Sequence, residues 1–345
     1  MKRNILVLLG FFIITELACA YNYDPPKSGE NLFLLGFPDY ILQGQSISGG
    51  AVFDAAPYSA NLNPALTAPL KRISADIGFT GLIGQYNRDF GGAFHLGALG
   101  PSKIGVFTGT ANGVFMDNIG LGNMFSGRVA WARDLIESVY VGAAVYSGII
   151  NNYGRYDFAI GSDLGFVWRL KELGFFRDVR VSAVLANLGK NFYLGSTSDY
   201  PHLLTLKAGL AALFIETEKV GFGFSFDAAT PMFQNIIFNM GLQLQIVKMV
   251  TISTGWDLNV HEIGSIRLGR GERPNLPYAG IAVNFTAKTD RSKVMQKNGI
   301  KTSDFRIAGV WQSIHEDYHI FSTGASMHFG ALDTDKAEID FGVIE

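Results

Sequence analysis

The chain has 345 residues and a formal net charge of −2, and charged residues make up 17% of it. The near-neutral charge excludes a strong polyanion binder, so we expect no nucleic-acid partner. Charged residues are fewer than the roughly 25% of a typical soluble domain, whereas glycine, with 41 residues, is abundant. After the first 20 residues no apolar run is long enough for a spanning helix, so a membrane location would require strands.

Residues 1–20 have the three parts of a secretory signal peptide. Lys2 and Arg3 form the charged start, an apolar run covers 5–14, and small residues follow at 18–20. The apolar run is too short to cross a membrane as a helix, which needs about 20 residues. We therefore expect cleavage before Tyr21.

Cys19 is the only cysteine and has two interpretations. It leaves with the signal peptide, or it is the lipidated first residue of the mature chain, because Leu17-Ala18-Cys19 is similar to part of a lipoprotein site. Glu16 argues against lipidation, since such sites prefer an apolar residue there. In the first case the mature protein has neither a disulfide nor a cysteine nucleophile.

Residues 21–72 do not show the alternation of apolar and polar residues that is typical of a strand. They contain six prolines and five glycines, at a density that a central strand does not tolerate. We therefore expect a separate irregular or short-helical segment, large enough to act as a plug, before a strand-rich region that covers 73–345.

From Ile73 onward, apolar residues alternate with small or polar ones, as in strands with one apolar face. The clearest pair covers 220–228 and 238–246, and 337–343 offers a weak last strand. The other predicted strands are 73–80, 89–98, 103–112, 125–133, 139–149, 157–169, 179–188, 203–214, 249–259, 263–270, 278–287, 303–312 and 319–329.

The length and spacing of these strands distinguish a membrane barrel from a secreted β-sandwich. Strands of about 10 to 12 residues suit a tilted membrane strand, whereas soluble strands average about 5–6 residues. The long predicted links are 113–124, 189–202 and 288–302, and all follow odd-numbered strands. We therefore expect them on one side, with short turns on the other, as in outer-membrane barrels.

The face opposite the apolar one is mostly small and polar, with charges of both signs. We expect these charges to pair with one another or with the N-terminal segment, and they give no single-sign field for an ion-selective pore. The charged positions are Asp76, Arg128, Asp163, Arg180, Lys207, Asp227, Asp257 and Arg306.

One short stretch matches the H-E-x-x-H motif of zinc metalloproteases in residue type and spacing. His315 to His319 reads H-E-D-Y-H, which on a helix would bind zinc. Both flanks are predicted strands, so we expect a polar turn and no metal site. A hydrolase using one of the scattered histidines (His95, His202, His261, His328) stays open as an alternative, but the sequence predicts no enzyme and no cofactor.

Several basic residues lie close together in the link 288–302, from Lys288 to Lys301. The first interpretation is a solvated outer loop, and the second is a contact with anionic lipid headgroups.

The N-terminal segment contains S-I-S-G-G-A at 46–51 and A-N-L-N-P-A-L at 60–66. A small-residue stretch followed by Asn63-Pro64-Ala65, ahead of the first strand, resembles the hatch region of FadL-like outer-membrane proteins, the long-chain fatty-acid transport family. Within that family the chain is most similar in appearance to spirochaetal paralogues. Ala55 and Ala56 stand where many relatives have acidic residues.

The resemblance implies an all-β fold, a transmembrane antiparallel β-barrel of about 14 strands closed by an N-terminal hatch at 21–72. Asn63, Pro64 and Ala65, with Gly49 and Gly50, would belong to the hatch. The implied function is passive uptake of hydrophobic molecules such as fatty acids through the outer membrane, with a sideways exit into the membrane lipids.

Two other functions stay open on the sequence. The barrel is an adhesin or a scaffold for secreted proteins, with partner contacts on long loops, or it is a general porin. The plug-sized N-terminal segment argues against the porin.

Overall fold

The computed structural model describes residues 35–84, 90–119, 122–152, 154–190, 192, 204–233, 235–260, 276–288, 302–314 and 318–330. The signal peptide, Cys19, residues 21–34 and the weak strand at 337–343 lie outside these residues. Within the described ranges, no helix has both the length and the apolar character needed to cross a membrane.

Fourteen antiparallel strands close into one barrel, each paired with its sequence neighbours and β1 paired with β14. This confirms the predicted fold class. The strands are β1 Ser74–Ile83, β2 Phe90–Ser102, β3 Gly105–Met116, β4 Gly122–Ile136, β5 Val139–Asn152, β6 Arg155–Leu173, β7 Phe176–Lys190, β8 Thr205–Glu216, β9 Val220–Pro231, β10 Ile237–Ile246, β11 Val250–Asn259, β12 Tyr278–Lys288, β13 Thr302–Ile314 and β14 Tyr318–Phe329.

The period-two pattern places apolar side chains outside and small or polar ones inside. In β1, Ile77 and Phe79 are each 57% exposed, whereas Asp76 and Thr80 between and beside them are buried. In β9 the same holds for exposed Phe226 beside buried Asp227. The outer face is therefore apolar over the wall, which is what a barrel surrounded by lipid requires.

Two predicted links differ from the structure. The link 113–124 is much shorter than expected, because β3 continues to Met116 and β4 begins at Gly122. The cross-strand ladder between β3 and β4 includes both ends of this stretch. The predicted strand 263–270 lies outside the described residues, and β11 pairs directly with β12.

The direct pairing of β11 with β12 changes the side assignment of the last long link. Without a wall strand between them, the link 288–302 follows β12, an even-numbered strand, and its two described ends, Lys288 and Thr302, lie at the barrel end where β1 begins and β14 finishes. The other even-numbered links, such as 103–104 and 174–175, are short, as periplasmic turns are. The expectation that all long links share one side is therefore wrong, whereas the basic residues beyond Lys288 that were expected to form an outer loop lie outside the described residues.

Residues 35–72 lie inside the barrel and are called the luminal segment below. They form one short helix, α1 (Pro38–Leu42), and two 3₁₀ turns, η1 (Pro57–Asn61) and η2 (Pro64–Thr67). Nearly every residue from Gly36 to Ala68 is buried, and several of them belong to the main core cluster. The core of the molecule is thus the contact between this segment and the inner wall.

Candidate functional site

The luminal segment contacts the inner wall around its whole circumference. Helix α1 packs against β11–β14, η1 against β1–β3 and η2 against β4–β6. The turn between α1 and η1 contacts the remaining strands, for example through Ile47, whose amide donates to Asp227, and Ser48, whose hydroxyl bonds that of Ser182. The described part of the segment therefore reaches strands all around the barrel.

Glycines on the inner wall allow this close approach. A Cβ atom added to Gly142 would lie 2.5 Å from the Ala65 nitrogen, and one added to Gly165 would overlap the Asn63 side chain. Because real Cβ atoms are not found at such distances, no larger residue fits without moving the segment. Other wall glycines that face the segment in this way are Gly78, Gly97, Gly209, Gly241, Gly280 and Gly324.

Asn63, Pro64 and Ala65 form the start of η2 and its contact with β5 and β6. The Asn63 Oδ1 accepts a hydrogen bond from the Ala65 amide at 3.0 Å, while its Nδ2 donates to the carbonyl oxygens of Ile47 at 2.9 Å and Phe166 at 3.3 Å. Pro64 occupies the first position of the turn, where its missing N–H costs nothing. One amide thus ties the turn, the rest of the segment and the wall together.

Replacing Asn63 with Ala is expected to destabilise the folded protein by about 1–3 kcal/mol, because buried acceptors and a cap would lose their partner. The loss is measured as a change in the free energy of unfolding in urea, with unfolding monitored by the gel mobility of the folded barrel. Replacing exposed Asn151 with Ala is the control and should change it by less than half as much. An equal effect of the two substitutions would contradict the anchoring role of Asn63.

Replacing Gly165 with Val is expected to displace η2 from the wall, since the added carbon atoms overlap Asn63 and Pro64. Overpacking of this kind costs about 1–3 kcal/mol. Gly309 is the matched control, because it faces outward and an added Cβ would meet only the Ser322 carbonyl oxygen at 3.8 Å. Limited proteolysis of the luminal segment should accelerate in Gly165→Val and stay unchanged in Gly309→Val.

Gly49 and Gly50 lie in the turn that Arg180 holds. Both have positive φ angles, +80° and +77°, which favour glycine. The fully buried Arg180 guanidinium donates to the carbonyl oxygens of Ser48, Gly50 and Ala51 at 2.7–2.8 Å. Gly49 and Gly50 therefore lie near the Asn63 turn, because Asn63 bonds the nearby Ile47 carbonyl. Their own position is fixed by hydrogen bonds between the backbone of their turn and Arg180.

A second buried arginine holds the opposite part of the segment. Arg306 donates to Asp39 Oδ1 through Nε at 2.8 Å and Nη2 at 2.6 Å, and its Nη1 lies 2.8 Å from Asp54 Oδ2. The Tyr58 hydroxyl donates to the Asp54 carbonyl at 3.1 Å. Burial raises the pKa of the Tyr58 phenol well above its usual range, so this donor stays protonated.

Most of the other inward-facing charges are also engaged, which confirms their predicted pairing. Asp76 accepts from the Tyr58 amide at 2.6 Å, and Asp257 accepts from the Gln45 side chain at 2.5 Å. Arg128 and Asp163 form an ion pair within the wall. The inner polar face therefore serves mainly to seat the luminal segment.

The H-E-D-Y-H sequence does not form a helix where the structure describes it. Tyr318 and His319 belong to β14, and the His319 ring stacks on Trp311 on the outer face, while 315–317 lie outside the described residues. His95 and His328 bond to Asp76 and Ser74, and His202 and His261 lie outside the described ranges. No group of metal-binding side chains is found among the described residues.

Sequence reasoning missed Asp39, Asp54 and the wall glycines. The only available signal for the glycines was their abundance, because inward and outward glycines read alike in the sequence. The acidic pair gave no signal of its own, since the residues that it meets come from a strand more than 250 positions away.

The comparisons with known proteins concern the fold. No family model matches the sequence, and a search of curated proteins finds no match either. Among solved structures, a FadL homologue from Pseudomonas aeruginosa is similar with a TM-score of 0.50 and 10% identity, over 85% of this chain and 99% of that one. The toluene transporter TodX from Pseudomonas putida has a TM-score of 0.51 and 9% identity, over 85% and 97%.

A mutant of TodX, described as a monoaromatic hydrocarbon channel, has a TM-score of 0.52 and 8% identity, over 84% of this chain and 99% of that one. At identities this low, the structural similarity shows the fold alone and leaves the activity open. The expected resemblance is thus confirmed at the level of architecture: this chain has the fold of the FadL-like outer-membrane proteins.

Proposed function

We propose that the protein is an outer-membrane channel for the passive uptake of hydrophobic molecules, with long-chain fatty acids as the substrate to test first. The observation that carries the proposal is the luminal segment seated against the whole inner wall. A barrel closed in this way is poorly suited to free diffusion of polar solutes through the lumen. Apolar molecules, in contrast, can pass sideways through the wall into the membrane lipids. Asn63-Pro64-Ala65, with Gly49 and Gly50, would act as part of the hatch.

Two further observations support this proposal. The solved structures of similar fold include a FadL homologue and TodX, which is described as a toluene transporter and, in a mutant form, as a monoaromatic hydrocarbon channel. The inward charges cited above are engaged with the luminal segment or with one another, so the described part of the wall offers no ring of like charges to select ions. A cleaved signal peptide at 1–20 and an outer-membrane location belong to the same proposal.

Uptake into liposomes tests the function directly. Vesicles with the intact protein should admit a long-chain fatty acid faster than empty vesicles, yet exclude a small hydrophilic dye, and a form lacking residues 35–68 should admit the dye. Equal fatty-acid entry with and without the protein would overturn the proposal. Dye entry through the intact protein would instead indicate a porin, and entry of neither compound would favour an adhesin or a secretion scaffold.

A further inference from the structure

The luminal segment comes closest to solvent at one turn, residues 48–54, which is called the strap below. Within 36–68, Val52, Phe53 and Asp54 form the longest run of residues that are not fully buried. The strap belongs to no helix or strand and is held by side chains of the wall, among them Gln243, which accepts from the Val52 amide at 2.9 Å. Its position therefore depends on side-chain contacts, whereas the strands hold one another through backbone ladders.

The strap lies toward the barrel end that carries the short turns. Arg169 of β6 contacts the Phe53 ring, and its amide donates to the Ser138 carbonyl oxygen in the turn between β4 and β5. Gln243, the partner of the strap in β10, lies near the end of its strand, just before the turn to β11. Short turns are on the periplasmic side of outer-membrane barrels, so the strap forms the periplasmic face of the luminal segment.

Two guanidinium groups of the inner wall contact the Phe53 ring. Arg169 Cζ lies 5.2 Å and Arg180 Cζ 5.0 Å from the ring centre, which is the range of cation–π contacts. The two arginines are direct cross-strand partners in β6 and β7, where like charges repel. Among the described residues one carboxylate serves both: Asp178 lies 2.5 Å from Arg169 Nε and 3.5 Å from Arg180 Nε. The negative face of the ring therefore attracts the positive charge that Asp178 leaves uncompensated.

The two arginines hold the strap in different ways. Arg180 is fully buried and donates to three carbonyl oxygens of the strap, so it fixes the strap backbone. Arg169 has a side chain that is 37% exposed, and its contact with the strap is the Phe53 ring. Because water competes for an exposed guanidinium, a cation–π contact there is weaker than a buried one. The strap thus has a firm anchor at Arg180 and a contact at Phe53 that breaks more easily.

Uncommon backbone conformations shape both sides of this contact. On the strap, Gly49 has a φ of +80°, and a Cβ atom added there would lie 2.9 Å from Phe53 Cδ2. On the wall, Asp178 has a φ of +44°, which is uncommon for a residue other than glycine. The ladder between β7 and β8 also shifts between Arg177 and Arg180, and such bulges redirect side chains at barrel rims. The contact of the ring with the arginines is thus specified by the strap and by the wall.

We propose that Phe53 is a positioning residue that latches the periplasmic face of the luminal segment through its cation–π contacts with Arg169 and Arg180. While the ring stays against the two arginines, the strap covers the lumen beside β6 and β7. When the ring leaves, the strap moves about its anchor at Arg180 and opens a path at this place. The proposal rests on the proposed function, since it names the contact that keeps the hatch closed, but the latch exists whether or not a substrate is present.

Stepwise fluorination of the Phe53 ring tests the latch, because fluorine withdraws charge from the ring face and changes the ring shape little. The frequency of channel openings is recorded in planar bilayers. It should rise with one, two and three fluorine atoms, by roughly 2- to 30-fold overall, and Phe53→Trp should keep the barrel closed. The same series at Phe226, which stacks on Phe238 on the outer face, is the matched control and should have no effect. More frequent openings in Phe53→Leu without any effect of fluorination would show a role in packing alone and overturn the proposal.

A double-mutant cycle tests whether Arg169 acts through the ring. Phe53→Leu and Arg169→Met should each raise the opening frequency, and the double variant should exceed neither by much, because both substitutions remove the same contact. Arg177→Met is the control, since Arg177 is exposed at the same barrel end and pairs with Glu172, and it should leave the frequency unchanged. Effects of Phe53→Leu and Arg169→Met that multiply would overturn the latch. The recordings contain no fatty acid, so failed uptake in liposomes would contradict the proposed function and leave these results unaffected.

Discussion

Deletion of residues 35–68 is expected to convert the closed barrel into an open, ion-conducting pore. The deletion removes α1, η1 and η2, which contact most of the wall. The strand ladder does not depend on them, since every strand pairs with both neighbours around the closed sheet. Wall residues such as Arg180 and Asp227 would lose partners in the segment and gain water in their place.

Single-channel recording in planar bilayers measures this change. The intact protein should show little conductance, and the deleted form should show stable openings with weak ion selectivity, because the exposed wall carries charges of both signs. The heat-resistant gel mobility of the folded barrel controls for misfolding. Equal conductance of the two proteins, both folded, would mean that the luminal segment does not close the barrel.

The barrel was largely predictable from the sequence because its signal is local. A strand that faces lipid on one side and a packed interior on the other must alternate, and β9 and β10 do so over almost their full length. The prediction of a further wall strand at 263–270, between β11 and β12, failed for a physical reason as well. A short alternating run has the same period whether it joins the wall or not, and only the pairing of β11 with β12 shows which strands are neighbours.

The contacts between the luminal segment and the inner wall were far less predictable. Gly165 and Gly309 both occupy strand positions, yet one touches Asn63 and the other faces open space, and the sequence does not distinguish them. The hydrogen bond that Asn63 Oδ1 accepts from the Ala65 amide was predictable from the residue type, whereas the bonds that Nδ2 donates to the Ile47 and Phe166 carbonyl oxygens join residues distant in sequence. Contacts between an irregular segment and a wall follow no period, so they appear only once the chain is folded.

The ion pair between Arg306 and Asp39 is expected to give the largest effect of any single substitution. Arg306→Met would leave the Asp39 carboxylate, 2% exposed, without its partner. Removing one member of a buried pair costs about 3–5 kcal/mol, since the remaining charge has neither water nor a counter-ion. Asp54 is 27% exposed and can be hydrated instead, so Asp39 should dominate the loss.

A double-mutant cycle with Asp39→Asn separates the pair from its surroundings. Arg306→Met combined with Asp39→Asn should recover much of the loss in urea-unfolding free energy, because no charge is then stranded. Arg177→Met is the control, since Arg177 and Glu172 are 45% and 62% exposed and such pairs contribute about 1 kcal/mol or less. If the losses in the two single variants simply add in the double variant, the ion pair does not hold α1. Recovery of stability together with raised conductance would instead mean that the charges fix the position of the segment more than they stabilise the fold.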